Sequence, residues 1–264
     1  MSLRVFLKFV QFRMKERMEY RGAFMLGIIA QILGYGSNYL VVWLLLHKFQ
    51  TIDGWTWPEI ALLYSIGLFT YSLGASFTFI QMTELESMVR QGTFDAILIK
   101  PTNPYMYVIA MKFNVGYIAH ILISGSILLW SLFQLSIDWS IIKALYFILI
   151  LISGSMIQAA ILSIIGAWSF IVVRTGFLFS LFFRLKDFIS YPISVYGTFV
   201  QIIIVFLVPL AFVNYFPSTL LLSKTTGITS NWAAWISPLI GPLSLWLAYK
   251  IFMKGINKYQ GAGG

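Results

Sequence analysis

The sequence predicts an all-α integral membrane protein with six transmembrane helices and cytoplasmic N- and C-termini. Three observations predict it. Of the 264 residues, 59% are hydrophobic and only 10% are charged, where a soluble domain carries about a quarter charged residues to face water. Mean hydropathy is +0.84, and long runs lack Asp, Glu, Lys and Arg, as a hydrocarbon core crossed by about 20 helical residues demands. Finally, the basic residues collect in alternate connections. The formal charge of +9 therefore reads as membrane orientation and not as a nucleic-acid surface. There are no cysteines and only two histidines, so disulfides, thiolate metal sites and cysteine nucleophiles are excluded, and a histidine metal cage nearly so.

The elements follow in order. Residues 1–21 mix Leu3, Phe6, Leu7, Val10 and Met14 with basic residues at helical spacing, which predicts an amphipathic helix in the headgroup region. It serves either as a basic anchor for anionic membrane lipids or as a clamp on a cytoplasmic partner. The late, long apolar run and the lack of a small-residue cleavage site argue against a signal peptide. Predicted spans run from Gly22 to His47, Ile60 to Thr83, Phe113 to Ile137 and Ala144 to Val173. The next uncharged run, Phe188 to Ser223, is too long for one straight crossing. Pro192, Pro209 and Pro217 supply breaks, so a fifth span is expected from about Ile193 to Val213. A short re-entrant segment over residues 214–224 follows, and Thr225 to Tyr249 is the sixth span, bent by Pro238 and Pro242.

The basic residues test that count. With the N-terminus inside, the cytoplasmic side holds Arg4, Lys8, Arg13, Lys15, Arg17 and Arg21 at the start. It also holds Arg90, Lys100 and Lys112 in the second-to-third connection, and Arg174, Arg184 and Lys186 in the fourth-to-fifth. Lys250, Lys254 and Lys258 complete it in the tail. Of the 18 Lys and Arg, only Lys48, Lys143 and Lys224 remain outside, as the positive-inside rule requires. Five crossings would strand the basic tail outside.

Much chemistry is absent. No predicted span has a charged residue near its middle, which disfavours an ion-coupled pump. His120 is the one candidate proton relay, and a packing role competes with it. No G-x-x-x-x-G-K-[ST] phosphate cradle, HExxH or G-x-S-x-G occurs, so the chain is expected to be no enzyme and to bind no cofactor or metal of its own.

The connection over residues 83–104, TELESMVRQGTFDAILIKPTNP, is the most informative stretch. Glu84 to Arg90 continues the second span's helix, and Gly92 suits a left-handed helix end. Thr93 can cap a new short helix with Asp95 near its positive end. Phe94, Ile97 and Leu98 share a face, and Pro101 and Pro104 close the segment. Such a helix either lies on the membrane or enters a groove on a partner.

Inside the spans, Ser155, Ala159, Ser163 and Ala167 form a ladder of small residues, for packing within the chain or between subunits. Gln31, Asn38, Gln158 and Gln201 are polar in-span residues that either bond neighbouring helices or line a pathway; Gln31, Asn38 and Gln201 are the pathway candidates. Trp55, Trp57, Trp232 and Trp235 suit interfacial belts.

Gly92, Asp95, Leu98, Pro101 and Asn103 stand in the pattern G-x-x-D-x-x-L-x-x-P-x-N. The pattern resembles the cytoplasmic loop of six-span permease subunits of type-2 ABC exporters, in the compact bacterial branch with a separate ATPase chain. The run Phe212-Val213-Asn214-Tyr215-Phe216-Pro217 and the tail Lys258-Tyr259-Gln260-Gly261-Ala262-Gly263 are similar to that family too. The resemblance covers essentially the whole chain in span layout. It implies a second permease chain, identical or homologous, and an ABC ATPase dimer that carries ATP and Mg. It also implies an ATPase-coupling role for Gly92, Phe94, Asp95, Ile97, Leu98 and Pro101. Asn214, Tyr215, Phe216 and Pro217 correspond to an external gate, and residues 1–21 to an interfacial elbow helix.

The expected protein is thus a single permease domain, residues 1–264, in a bacterial plasma membrane. It would export an amphipathic or hydrophobic cargo such as a lipid, peptide or antibiotic. The alternatives are a non-transporting membrane scaffold and an ion-coupled carrier using His120.

Overall fold

The computed structural model describes residues 21–49, 51–112, 114, 116–172, 174–224 and 231–259. Residues 1–20 of the interfacial helix expected over residues 1–21 lie outside that set, as do the start of the sixth span and the tail glycines. The described residues are 79% helical and contain no strand, only an isolated bridge between Ile52 and Trp55.

The first predicted span is helix α1 (Arg21–Phe49). The second is α2 (Trp57–Arg90), whose 34 residues would extend about 51 Å, well beyond a core of about 30 Å. The segment over 83–104 holds α3 (Asp95–Leu98) and the start of α4 (Pro104–Met111). After a break come α5 (Tyr117–Gln134) and α6 (Ile141–Ala167), the latter ending in a 3-10 turn over Trp168–Phe170. α7 (Gly176–Phe188), α8 (Thr198–Ile202) and α9 (Tyr215–Leu221) precede α10 (Asn231–Ile256). Among the described residues, four helical stretches are long and apolar enough to cross a membrane, or five if the bent pair Thr198–Leu207 and Leu210–Leu221 is one span. α1 contributes a shorter apolar stretch, Met25–Gly34.

α2 lies at the centre, packed on α5 and α6, and α6 in turn packs on α10. Its buried hydroxyls bond back to carbonyls of their own helix, Thr70 to Ile66 at 2.7 Å, Ser72 to Leu68 at 2.6 Å and Thr78 to Gly74 at 2.9 Å. Polar residues are thereby satisfied without a partner helix. Small residues then let backbones approach. A Cβ on Gly74 would stand 2.5 Å from the Ser155 carbonyl oxygen, and one on Gly166 would stand 2.7 Å from the Met82 sulfur. The Ser155 to Ala167 ladder therefore packs within the chain.

α10 stays helical through Pro238 and Pro242. Proline at 238 removes the donor for the Ala234 carbonyl, and the Tyr146 hydroxyl donates to that oxygen instead at 2.7 Å. The Ser153 hydroxyl inserts one turn on, donating to the Ser237 carbonyl at 2.6 Å and accepting from the Gly241 amide at 2.9 Å. A side chain of α6 thus replaces the bond that Pro238 takes away, and a second one bridges the neighbouring Ser237 carbonyl and Gly241 amide.

The largest departure concerns the fourth-to-fifth connection and the fifth span. Most of residues 174–187, expected as a cytoplasmic loop, lie in α7, which runs back along α2. Phe179 meets Phe79 at 6.2 Å, Phe182 and Phe183 meet Tyr71 at 6.3 and 6.1 Å, and Ile189 lies beside Gly67. The expected helix from Ile193 to Val213 is in pieces. α8 continues as a π turn over Ile203–Leu207 and bends by 76° before Leu210–Leu221. The break thus falls at Val208 and Pro209. Pro217 lies within the first turn of α9, where backbone donors lack helical partners and proline costs little.

Candidate functional site

Two clusters at opposite ends of α2 carry the predicted site residues. At the Arg90 end, Gly92 has φ +71°, the left-handed conformation that glycine adopts freely. It turns the chain so that the Phe94 amide donates to the Met88 carbonyl at 3.2 Å. Thr93 does not cap α3 as expected; its hydroxyl donates back to the Met88 carbonyl at 3.4 Å. Nor do Phe94, Ile97 and Leu98 act as one face. Phe94 is fully buried, with its ring centroid 4.9 Å from that of Phe170 and 5.4 Å from that of Tyr259. Ile97 is buried beside it, whereas Leu98 is 37% and Ile99 84% exposed. Asp95 and Pro101 are exposed as well. Phe94 and Ile97 therefore anchor α3 to its own chain, and Asp95, Leu98 and Ile99 face outward.

Asn103 begins α4 by accepting from the Met106 amide at 3.2 Å, while its Nδ2 donates to the Tyr249 hydroxyl at 3.0 Å. α3 and α4 are thereby tied to α10. Beside them a cleft of about 460 Å³ is lined by Glu86, Arg90, Phe170, Val172, Lys258 and Tyr259, among others.

Glu86 carries a link that the sequence did not suggest. Its Oε2 accepts from the Thr175 amide at 2.7 Å, the Thr175 hydroxyl at 3.2 Å and the Gly176 amide at 3.2 Å. A side chain of α2 thus caps the N-terminus of α7, where free amides and the helix dipole favour an anion. The Thr175 amide chiefly holds the Glu86 carboxyl below its ordinary value of 4.5, against a smaller opposing effect of burial, with help from the Thr175 hydroxyl, the Gly176 amide and Arg90.

At the Trp57 end, the residues matched to a gate are packed into the bundle. Asn214 is fully buried, and its Nδ2 donates to the Leu63 carbonyl at 2.9 Å and the Ile189 carbonyl at 2.7 Å. It joins α9 to α2 and to the chain leaving α7. Tyr215, Phe216 and Pro217 are buried too, with Tyr215 against Trp55 at 5.9 Å. Trp55 is 2% exposed, so it is no belt residue. It follows a two-residue turn at Asp53 and Gly54, both with positive φ, the type I′ geometry that Asp-Gly favours. Lys224 seals this corner, 4.8 Å over the Trp55 ring, 2.9 Å from Glu59 and 2.7 Å from the Gly54 carbonyl.

The pathway candidates are not brought together by visible bonds. Gln201 donates to the Tyr196 carbonyl at 2.7 Å within its own segment. Gln31 is part-buried on α1, and the Asn38 side chain lies outside the described residues. Gln158, by contrast, clamps α6 to α2 through the Gly67 carbonyl at 3.1 Å and the Thr70 hydroxyl at 2.8 Å, a packing role. Groups of acidic or histidine side chains able to hold a metal are absent among the described residues.

A helical bundle built of several long apolar helices, with polar side chains buried inside it, is the architecture of a multi-pass membrane protein. The family model described as "ABC-2 family transporter protein" matches residues 32–263, and the chain belongs to that family. Members are transmembrane components that are generally not catalytic themselves and work with an ABC ATPase. No curated protein and no solved structure gives a significant match.

Proposed function

We propose that this chain is one half of the transmembrane unit of an ATP-driven exporter in a bacterial plasma membrane. It pairs with a second permease chain and couples to an ATPase dimer through α3. On this reading the six crossings are α1, α2, α5, α6, the interrupted passage from α7 to α9, and α10. The Arg90 end faces the cytoplasm and the Trp57 end faces outside. The cargo is amphipathic, and the path runs between the two permease chains.

One observation carries this reading: α7 is fastened at both ends to what the exporter must connect. Glu86, eight residues before Phe94, holds its start, and Asn214, at the head of α9, holds the Ile189 carbonyl just past its end. A push on α3 is delivered to the cytoplasmic end of α2 and, through Glu86, to α7. The displacement of α7 pulls on Asn214 and hence on the gate segment. Rigid helices joined by hydrogen bonds are the kind of physical network along which such coupling travels.

The exposed residues of α3 are the ones to test. Asp95→Lys and Ile99→Glu should leave membrane insertion intact and abolish co-purification of the partner P-loop ATPase. Retention of the ATPase by both variants would refute the docking assignment.

A further inference from the structure

Lys186 was expected in a cytoplasmic loop, yet α7 carries it, half-buried, alongside α2. Its Nζ lies 5.0 Å from the centroid of the Tyr71 ring, close to the midpoint of α2. The Tyr71 hydroxyl shares a hydrogen bond with the Tyr117 hydroxyl at 3.0 Å, and the Tyr117 ring meets His120 at 4.9 Å. Phe182 and Phe183 complete the wall around Tyr71.

The ammonium is incompletely paired. Among the described residues the ion pairs join Lys112 to Glu84 and Lys224 to Glu59, and none includes Lys186. Asp187, its neighbour in sequence, is exposed and attracts it only through space. Lys224 shows full pairing, with an aromatic face, a carboxylate and a carbonyl together. Lys186 has the aromatic face alone. Lys186 is half-buried; one ring face offsets only part of the cost of drawing its ammonium from water, and on the six-crossing reading an ionisable side chain alongside the middle of α2 marks a functional site.

We infer that Lys186, together with Tyr71, Tyr117 and His120, forms a binding site for the anionic head of an amphiphile, a phosphate ester or a carboxylate. The ammonium supplies the charge, and the two hydroxyls and the imidazole supply the neighbouring polar groups. Phe182 and Leu185, on the same helix, line an apolar groove of about 600 Å³ between α6, α7 and α10. An alkyl chain attached to the bound anion therefore has an apolar surface within a helical turn. This inference rests on the transport reading above and narrows its cargo from amphipathic to anionic amphipathic.

The test uses the purified full chain in phosphatidylcholine nanodiscs, with dodecyl phosphate as probe and thermal stabilisation as readout. Dodecyl phosphate should stabilise the wild type and Lys186→Arg, and its apparent affinity for Lys186→Gln should fall at least about tenfold. Dodecanol and dodecyltrimethylammonium should bind no better than they do to Lys186→Gln. Unchanged affinity in Lys186→Gln, or equal stabilisation by the cationic amphiphile, overturns the proposal. Inorganic phosphate matching dodecyl phosphate would assign the site to the free ion and overturn the cargo assignment. A wild-type photo-crosslink from a diazirine-bearing alkyl phosphate needs no variant. It should map to residues 176–188 or 117–120, and labelling confined to other helices refutes the site. None of these readouts requires the ATPase. Lys186→Gln should retain its ATPase partner, so failure of this inference and failure of the exporter reading give different results.

Discussion

Replacing Asn214 should loosen the bundle and disconnect its ends, by an amount the structure allows to be worked out. In Asn214→Ala the Nδ2 bonds to the Ile189 and Leu63 carbonyls are lost. The Leu63 carbonyl lies inside α2 and keeps its helical partner. The Ile189 carbonyl follows the end of α7 and is left buried without a donor. Stranding that oxygen costs about 1–3 kcal/mol, and losing the second bond about 1 kcal/mol more. Soluble chains of comparable size lose about 2–4 °C of Tm per kcal/mol. On that scale the combined loss of about 2–4 kcal/mol corresponds to a fall of about 5–15 °C. The assay is thermal stability by fluorescence-detected size exclusion in detergent, beside Asn214→Asp. An ionised aspartate would point only acceptors at two carbonyls, so it should be worse than alanine. A change under about 2 °C for Asn214→Ala, or an aspartate variant as stable as wild type, would refute the clamp.

Two further outcomes follow from the Arg90 end. The Glu86 carboxyl titrates below 4.5 in the folded chain, so its contribution to stability is complete above the unfolded value and disappears as pH falls through the folded one. The stability gap between wild type and Glu86→Gln should therefore be widest near neutral pH and close progressively below about pH 4.5; a gap independent of pH would contradict the cap. Phe94→Ala should destabilise the chain by about 3–5 kcal/mol, since it empties a fully buried aromatic site. Ile99→Ala, on an exposed residue, should cost no more than about 0.5 kcal/mol, and equal Tm values for the two would contradict the orientation of α3.

Most of the long helices were legible because uncharged runs are governed by one strong constraint, the hydrocarbon thickness. α2, α5, α6 and α10 follow those runs closely, and Gly92 behaves as its lack of a Cβ suggests. The errors share a cause. A charge filter sees Arg184, Lys186 and Asp187 and ends the membrane there, although Phe179, Phe182 and Phe183 bury that helix against α2 whatever its few charges do. The effect of each proline depends on its tertiary surroundings. At Pro209 the chain breaks as expected, whereas at Pro238 the Tyr146 hydroxyl takes over the missing bond and the Ser153 hydroxyl bridges the next turn, from 88 and 84 residues away in sequence. Phe94 had the apolar character of a docking residue, and only the tertiary position of Phe170 and Tyr259 reveals it as an anchor. The roles of Glu86 and Asn214 are likewise invisible locally, since each depends on amides or carbonyls brought in from another helix.

The claim that the chain moves cargo only as the membrane half of an ATP-fuelled assembly is tested most directly in inside-out vesicles. These would contain the permease and its ATPase partner, and uptake of a fluorescent amphiphile would be followed with intact nucleotide sites and with the Walker lysine of the ATPase replaced. ATP-dependent accumulation that disappears with that lysine, while both subunits stay assembled, is the predicted result. Accumulation that persists without a working ATPase would contradict the account.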